Sequence, residues 1–171
     1  PFYFSIYNLT FLNSFFETIS GFTSTGFTIF ENIKLIDQSL ILWRSSTQWI
    51  GGLYFLFSII FLIDIYDENF KKTLTNYFSF NSSEILKQAI KIFLLYSGLT
   101  LIIFIILNIF SFRAFDSLNL AFTLISSGGF LPVDDLSSIL KDNYQIIIFS
   151  LLMLLSFFSI FFVYNLTFFK N

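Results

Sequence analysis

The sequence predicts an all-helical membrane protein in which a short helix, a glycine-bearing loop and a long apolar helix occur twice. Three observations favour this fold class. The chain of 171 residues is 56% hydrophobic and only 12% charged, whereas a soluble domain carries about 25% charged residues. Three uncharged apolar stretches are near or above the roughly 20 residues that a helix needs to cross a bilayer. The strings FTSTGF at 22–27 and ISSGGF at 125–130 occupy equivalent places, with Gly26 and Gly129 103 residues apart.

The predicted elements follow one order along the chain. Two apolar stretches of about a dozen residues, 11–22 and 116–126, are too short to span, so we expect re-entrant or interfacial helices. Asp116, with Ser117 beside it, is the expected N-cap of the second short helix. Each short helix leads into a glycine loop. The predicted spans are 40–63, 92–112 and 143–169, with a polar connector at 64–84.

The two loops have the residue types of an ion filter. A cation that leaves water needs its hydration shell replaced, and backbone carbonyls do this where glycine allows unusual backbone angles. Hydroxyl groups supplement or brace such a ring, and the short helices direct their partly negative C-terminal ends at the ion. An ordinary turn is the better interpretation of one such loop, but two loops in matching places favour a pore. The predicted filter residues are Thr23, Ser24, Thr25 and Gly26 in the first loop and Ser126, Ser127, Gly128 and Gly129 in the second.

The string WRSSTQWIGG at 43–52 opens the first predicted span. Its two tryptophans fit an interfacial belt, and Arg44 either extends to the same interface or pairs with an acidic residue of the outer loop. Gln48 lies deeper and needs a partner in the protein or in pore water. Gly51 and Gly52 permit close helix packing, a bend, or both, and packing is the better interpretation. We expect these residues to support the structure near the pore.

Acidic residues accompany both loops. Glu17 lies within the first short helix and either braces the filter from behind or faces the outer vestibule. A group of further acidic residues can raise the local cation concentration at a pore mouth, or can form an ordinary solvated face. These residues are Glu31, Asp37, Asp116, Asp134 and Asp135.

Several classes of function are excluded by what the sequence lacks. There is no cysteine and no histidine, which excludes disulfides, thiol catalysis, zinc sites and imidazole acid–base chemistry. No pair of carboxylates has the spacing or the neighbours that hydrolysis needs, so we expect neither an enzyme nor catalytic residues. The net charge of −2 does not indicate nucleic acid as a partner.

Two groups of strings resemble the Trk/Ktr family of cation transporters. They are ETISGFTSTGF at 17–27, followed by WR and QWIGG within 43–52, and then FDS, AF and ISSGGF within 115–130. The membrane subunit of that family has four unequal repeats of span, pore helix, filter loop and span around one pore. The resemblance therefore implies a pseudo-fourfold pore with Gly26 and Gly129 as two of four filter glycines. It also implies potassium uptake, sometimes with sodium, and regulation by a cytosolic nucleotide-binding subunit. The family's gating loop, and its basic residue near the filter, are not visible in this sequence.

The resemblance divides the chain into most of one repeat and the whole of another. Residues 1–63 hold the pore helix, filter loop and second span of one repeat, 64–83 form a cytoplasmic connector, and 84–171 form the second repeat. Basic residues lean slightly towards the connector side, which gives mild support for this orientation. Because Pro1 stands just before a loop motif, we expect a fragment whose other two repeats come from a longer chain.

We therefore expect a multi-pass protein of the inner or plasma membrane that takes up potassium, or another monovalent cation such as sodium, through a filter of backbone carbonyls. The expected partners are the remaining two repeats, a second copy in a homodimer, the regulatory subunit and the lipid bilayer. We expect no cofactor besides the transported ion. Two alternatives stay open, a subunit of a tetrameric potassium channel and a non-conducting membrane scaffold or degenerate fragment. The channel is disfavoured because neither loop has a TVGYG-type filter and the two repeats differ.

Overall fold

The computed structural model describes residues 1–5, 7–66 and 82–158. These ranges contain α-helices and short 3₁₀ turns but no strand, so the predicted all-helical class is confirmed for them. The α-helices are α1 (Phe11–Phe22), α2 (Gln38–Tyr66), α3 (Ser82–Ile109), α4 (Ala114–Ile125) and α5 (Asn143–Phe157). The 3₁₀ turns, Ile33–Leu35 and Leu136–Ser138, precede α2 and α5.

The two short helices have the predicted length and nearly the predicted bounds. α1 and α4 each have 12 residues, or about 18 Å at 1.5 Å per residue, against about 30 Å of hydrocarbon. α1 begins after Thr10, whose hydroxyl accepts a hydrogen bond from the Asn13 amide at 3.2 Å. α4 begins at Ala114, so the prediction that Asp116 is its N-cap was wrong. Asp116 lies in the first turn, where it accepts from Arg113 at 3.1 Å near the partly positive helix end.

The long helices extend into the predicted connector. α2 has 29 residues and continues to Tyr66, and α3 has 28 residues and begins at Ser82. The two ends of the connector predicted at 64–84 are therefore helical. Its remaining residues, 67–81, lie outside the described residues.

One of the three predicted spans has the length and composition to cross a membrane in the described part of the chain. It is Ala89–Ile109 of α3, with 21 residues. The span predicted at 143–169 starts as α5, but its residues after 158 lie outside the described ranges. The span predicted at 40–63 is helical throughout and carries buried polar side chains, which lower its apolarity. These two spans stay predictions.

α4 lies at the centre of the fold. It contacts α2, α3 and α5, whereas α1 packs against α2. The main apolar core surrounds α4 and includes Leu56, Tyr96, Ile103, Leu120, Leu124 and Phe149. A second cluster joins the N-terminal segment to the start of α2 and contains Phe2, Ile33, Ile36, Leu40 and Ile41. Because α2 contacts both short helices, one element positions both loops.

The described helices expose many large apolar side chains and bury several polar ones beside the apolar core. Glu17, Arg44 and Gln48 are at most 1% exposed, whereas large apolar side chains cover the outer faces of α1, α3 and α5. Only 33% of the apolar stretch of α3 is buried within the protein. In water, an apolar exterior of this extent is an aggregation hazard, but in hydrocarbon it matches the solvent. The described helices thus present a lipid-compatible exterior around an interior that combines an apolar core with buried polar side chains.

Candidate functional site

Both short helices end in the same backbone conformation. Thr23 and Ser126 cap them with φ of −85° and ψ of 0° and −2°. The next residues, Ser24 and Ser127, are left-handed, with φ of 54° and 52°. A residue other than glycine is uncommon in this conformation, which costs roughly 1–2 kcal/mol. Its recurrence at equivalent serines shows that the two loops share a geometry as well as a sequence pattern.

The amides that follow complete the same helix-ending motif in both loops. In each, the left-handed serine donates to a carbonyl three residues back, and the next amide donates to a carbonyl five residues back, which is the Schellman pattern. The bonds are Ser24 to Gly21 at 3.0 Å, Thr25 to Ser20 at 3.2 Å, Ser127 to Leu124 at 3.0 Å and Gly128 to Thr123 at 2.8 Å. They hold the start of each loop against its own helix.

A hydroxyl group closes each loop across its glycine. The Ser20 hydroxyl donates to the Phe27 carbonyl at 2.6 Å, and the Thr123 hydroxyl donates to the Phe130 carbonyl at 2.7 Å. Each hydroxyl residue stands six positions before the loop glycine, and each phenylalanine directly follows it. Sequence reasoning missed this pair of residues. The available signal was the serine and threonine at the same offset from the aligned glycines.

The two loops meet at their predicted filter glycines. Gly26 is left-handed, with φ of 75°. A Cβ atom placed on Gly26 would overlap the backbone of Gly129, and one placed on Gly129 would lie 3.1 Å from the Gly26 Cα. Gly26 therefore requires glycine for this approach, whereas a Cβ on Gly129 needs a small shift of the facing loop. The residues predicted for the filter thus belong to two loops that touch.

A cavity of about 500 Å³ lies where α1 and α4 end. Its lining includes Thr23, Ser24, Ser126, Ser127, Gly51 and Gly52, and it has no charged residue among those described. The C-terminal ends of two helices carry partial negative charge, and the hydroxyl oxygens add further acceptors. This arrangement favours a cation over an anion.

A buried ion pair lies behind the first loop. The side chains of Glu17 and Arg44 are 0% and 1% exposed, and Arg44 Nε donates to Glu17 Oε1 at 2.9 Å. Glu17 also accepts from the Thr28 hydroxyl at 3.0 Å and the Ile29 amide at 3.1 Å. Glu17 therefore braces the loop from behind rather than facing an outer vestibule. The expectation that Arg44 lies at the interface or pairs with an outer-loop acid was wrong, because its partner is inside α1.

Gln48 lies one helical turn after Arg44 and braces the second loop. Its Oε1 accepts from the Phe130 amide and from the Thr123 hydroxyl, both at 3.2 Å. Gly128 makes room for it, since a Cβ there would lie 2.5 Å from the Gln48 amide carbon. The amide oxygen of Gln48 therefore has its partners in the protein.

The glycine pair of α2 lets both short helices approach. A Cβ on Gly51 would overlap the Phe22 carbonyl, and a Cβ on Gly52 would lie 2.6 Å from the Ser126 Cβ. The packing interpretation of this pair is confirmed. Close approach also explains why both glycines line the cavity at the helix ends.

The tryptophans of α2 differ in environment. Trp43 is 41% exposed. The Trp49 indole donates to the Thr100 hydroxyl at 3.0 Å and packs against Tyr96 and Phe122. A partner on α3 holds the half-buried Trp49 indole within the helix packing, and the belt interpretation stays a prediction for both tryptophans.

The acidic residues near the loops fall into two groups. Asp134 accepts from the Ile33 amide and lies 3.9 Å from Lys34 Nζ, so it ties the segment after the second loop to the segment after the first. Asp116 pairs with Arg113 within α4. Glu31, Asp37 and Asp135 are exposed. Focusing of cations by these residues stays a prediction.

Comparisons with known proteins give relatives over most of the chain. An uncharacterized cation transporter of Methanocaldococcus jannaschii is 26% identical over 163 residues, which cover 90% of this chain and 32% of that protein. The Trk system potassium uptake protein TrkH of Salmonella typhimurium is 28% identical over 133 residues, covering 74% of this chain and 28% of that protein. TrkG of Escherichia coli is 39% identical over 46 residues, which cover 27% of this chain and 10% of TrkG.

The chain spans about a third or less of the length of these curated relatives. No family model matches it, and no solved structure matches it. The match to the Methanocaldococcus jannaschii protein covers 90% of the chain and therefore includes both loops, and the match to TrkH covers 74%. The resemblance to the Trk/Ktr family is therefore confirmed: the chain is homologous to a cation transporter and to Trk potassium uptake proteins.

Proposed function

We propose that this chain forms two repeats of a potassium uptake pore in which Gly26 and Gly129 are filter glycines. One observation carries this proposal. Two loops that differ in sequence end their helices with the same left-handed serine and the same Schellman bonds, and they meet at those glycines. Schellman endings are common among helices, but here both have serine in the left-handed position that glycine usually takes, and the two loops pack against each other. A filter needs both properties, since its walls must present one backbone geometry to one ion.

The mechanism uses backbone and hydroxyl oxygens and needs no covalent chemistry. A dehydrated monovalent cation, potassium or sodium, binds the carbonyls of the loops at 23–26 and 126–129 and then enters the cavity at the ends of α1 and α4. The partly negative helix ends stabilise the ion there. We expect weaker selectivity than in filters with two glycines per wall, because each loop offers a shorter ordered run of carbonyls.

The remaining parts of the pore belong to the same proposal. Span, pore helix, filter loop and span would form repeated units of a multi-pass protein, with the connector at 64–83 on the cytoplasmic side. Two further repeats of the longer chain would complete a pseudo-fourfold filter. A homodimer and a cytosolic nucleotide-binding regulatory subunit are the proposed assembly partners. The support is the homology to Trk proteins together with the apolar exterior of α1, α3 and α5.

The test is potassium uptake by the full-length protein in cells that lack their own potassium uptake systems, at low external potassium. We expect the wild type to restore growth and uptake, and Gly129→Ser to abolish uptake or to shift it towards sodium. Gly98→Ser is the matched control, because a Cβ on Gly98 meets no atom within 4 Å. Failure of the wild type, with the protein shown in the membrane beside its regulatory subunit, would contradict the proposal. Normal uptake and ion preference in Gly129→Ser would remove the filter assignment.

A further inference from the structure

Arg44 contacts the structural supports of both loops. On the side of the first loop it donates to Glu17 at 2.9 Å and, through Nη2, to the Thr28 hydroxyl at 2.9 Å. On the side of the second loop its guanidinium carbon lies 4.2 Å from the centroid of the Phe130 ring. A guanidinium this close to a ring face is a cation–π contact. One side chain of α2 therefore links the segment after Gly26 to the residue directly after Gly129.

Gln48 completes the link from the same face of α2. Its amide accepts from the Phe130 backbone and from Thr123, the hydroxyl residue that closes the second loop. Phe130 thus has its ring under Arg44 and its amide on Gln48. Residues four apart on a helix lie on one face, so any shift of α2 moves both contacts together.

Stability alone does not account for a buried ion pair. Removing two charges from water carries a desolvation penalty that their attraction often fails to exceed, and an apolar replacement of equal shape is frequently as stable. Directional bonds do fix the relative positions of the groups they join. The Glu17–Arg44 pair is bonded at several atoms to the first loop, while the same guanidinium stacks on the second.

We propose that Arg44 and Gln48 are positioning residues that hold the two glycine loops in a fixed register, and that the ion preference of the pore depends on this register. Neither side chain needs to touch the ion. Arg44 acts on the first loop through Glu17 and Thr28, and both residues act on the second loop through Phe130. The inference rests on the proposed filter function and adds the residues that determine its specificity.

The test measures the ratio of potassium to sodium uptake rates by the full-length protein, because a ratio does not depend on the amount of protein. Arg44→Lys keeps the charge but loses the planar fork that contacts Glu17, Thr28 and Phe130 together. Gln48→Leu removes the acceptor for Phe130. We expect each variant to lower the ratio about fivefold, the factor that corresponds to about 1 kcal/mol. The double variant should lower it by less than the product of the two effects, because both changes release the same loop.

Two control variants remove similar bonds away from the loops. Arg113→Lys alters the Arg113–Asp116 pair, whose arginine side chain is 64% exposed. Thr100→Val removes the hydrogen bond of the half-buried Trp49 indole. Both should keep the wild-type ratio. If Arg44→Lys fails to reach the membrane, Gln48→Leu and Glu17→Gln provide the same readout.

The outcomes separate this inference from the proposed function. A wild type without potassium uptake would contradict the proposed function itself. A conducting wild type whose ratio is unchanged in Arg44→Lys and Gln48→Leu would overturn the positioning role. If the two control variants lowered the potassium-to-sodium uptake ratio equally, the positioning role would also be overturned, since general destabilisation would then explain the effect.

Discussion

At the scale of single residues, the candidate site depends on a few positions with unusual backbone angles. Ser24 and Ser127 are left-handed without being glycine, so the surrounding bonds must hold them in a strained conformation. Such strain persists where the surrounding structure over-determines it, and here it lies two residues before each of the proposed filter glycines. The sequence indicated these positions because glycine and hydroxyl residues align at an offset of 103.

The contacts of Arg44 lay beyond sequence reasoning. Its partner Glu17 is 27 residues away and lies in a different helix, and no periodicity joins the two positions. Burial of both charges follows only from the packing of α1 on α2. For the same reason the sequence could not decide whether Glu17 faces a vestibule or the back of the loop.

The two proposed filter glycines, Gly26 and Gly129, should differ in their tolerance of alanine. Gly26→Ala places a methyl group against the Gly129 backbone and puts a side chain at φ of 75°, a cost of roughly 1–2 kcal/mol before any overlap. Gly129→Ala brings a methyl group to 3.1 Å from the Gly26 Cα, which a small shift relieves. We expect Gly26→Ala to abolish potassium uptake and Gly129→Ala to reduce it, measured per amount of protein in the membrane. Equal effects, or a milder effect of Gly26→Ala, would contradict the observed geometry.

At the scale of elements, the short helices were predictable and their supports were not. The apolar stretches 11–22 and 116–126 are too short for a span, and both lie close to the observed helices of 12 residues. The start of α4 was misplaced because an aspartate in a first turn and an aspartate at an N-cap look alike in sequence. Neither the lengths of the apolar stretches nor the helix-capping signals indicated that α2 supports both loops. Its contacts with α4 join residues that are far apart in the chain.

Gly51 gives a test of that common support. Gly51→Ala adds a methyl group that would overlap the Phe22 carbonyl at the end of α1. Overpacking of this kind costs typically about 1–3 kcal/mol, so we expect a lower unfolding temperature and a large loss of uptake. Gly98→Ala, in the open middle of α3, should keep or raise the unfolding temperature, because alanine favours helix over glycine by about 1 kcal/mol. Unfolding of the purified full-length protein in detergent measures both, and similar temperatures for the two variants would show that α1 and α2 are not tightly packed.

At the scale of the whole molecule, composition predicted the membrane environment of the protein better than the packing of its helices. Few charges and many apolar residues indicated a bilayer, and the structure places large apolar side chains outside and polar ones inside. Which apolar residues face outward depends on packing around α4, and composition cannot supply that. The chain covers about a third or less of the length of its curated relatives.

The outward face of α3 allows a test of whether this helix crosses a membrane, by placing lysine at its middle or at its end. Leu101 is 60% exposed near the middle of the stretch Ala89–Ile109, and Ile109 is 71% exposed at its end. A lysine at the centre of a spanning helix costs about 2.5–3.5 kcal/mol of insertion free energy, whereas a lysine at the end extends to the headgroups at little cost. We therefore expect Leu101→Lys to reduce the membrane-inserted fraction of the full-length protein strongly and Ile109→Lys to leave it close to wild type. Both variants exchange an exposed apolar residue for lysine. If this face of α3 lay in water, the two substitutions would therefore have similar effects on the protein. Equal inserted fractions would mean that this face of α3 does not cross hydrocarbon. A lower inserted fraction for Leu101→Lys than for Ile109→Lys would place the middle of α3, which packs against α4, at the centre of the bilayer.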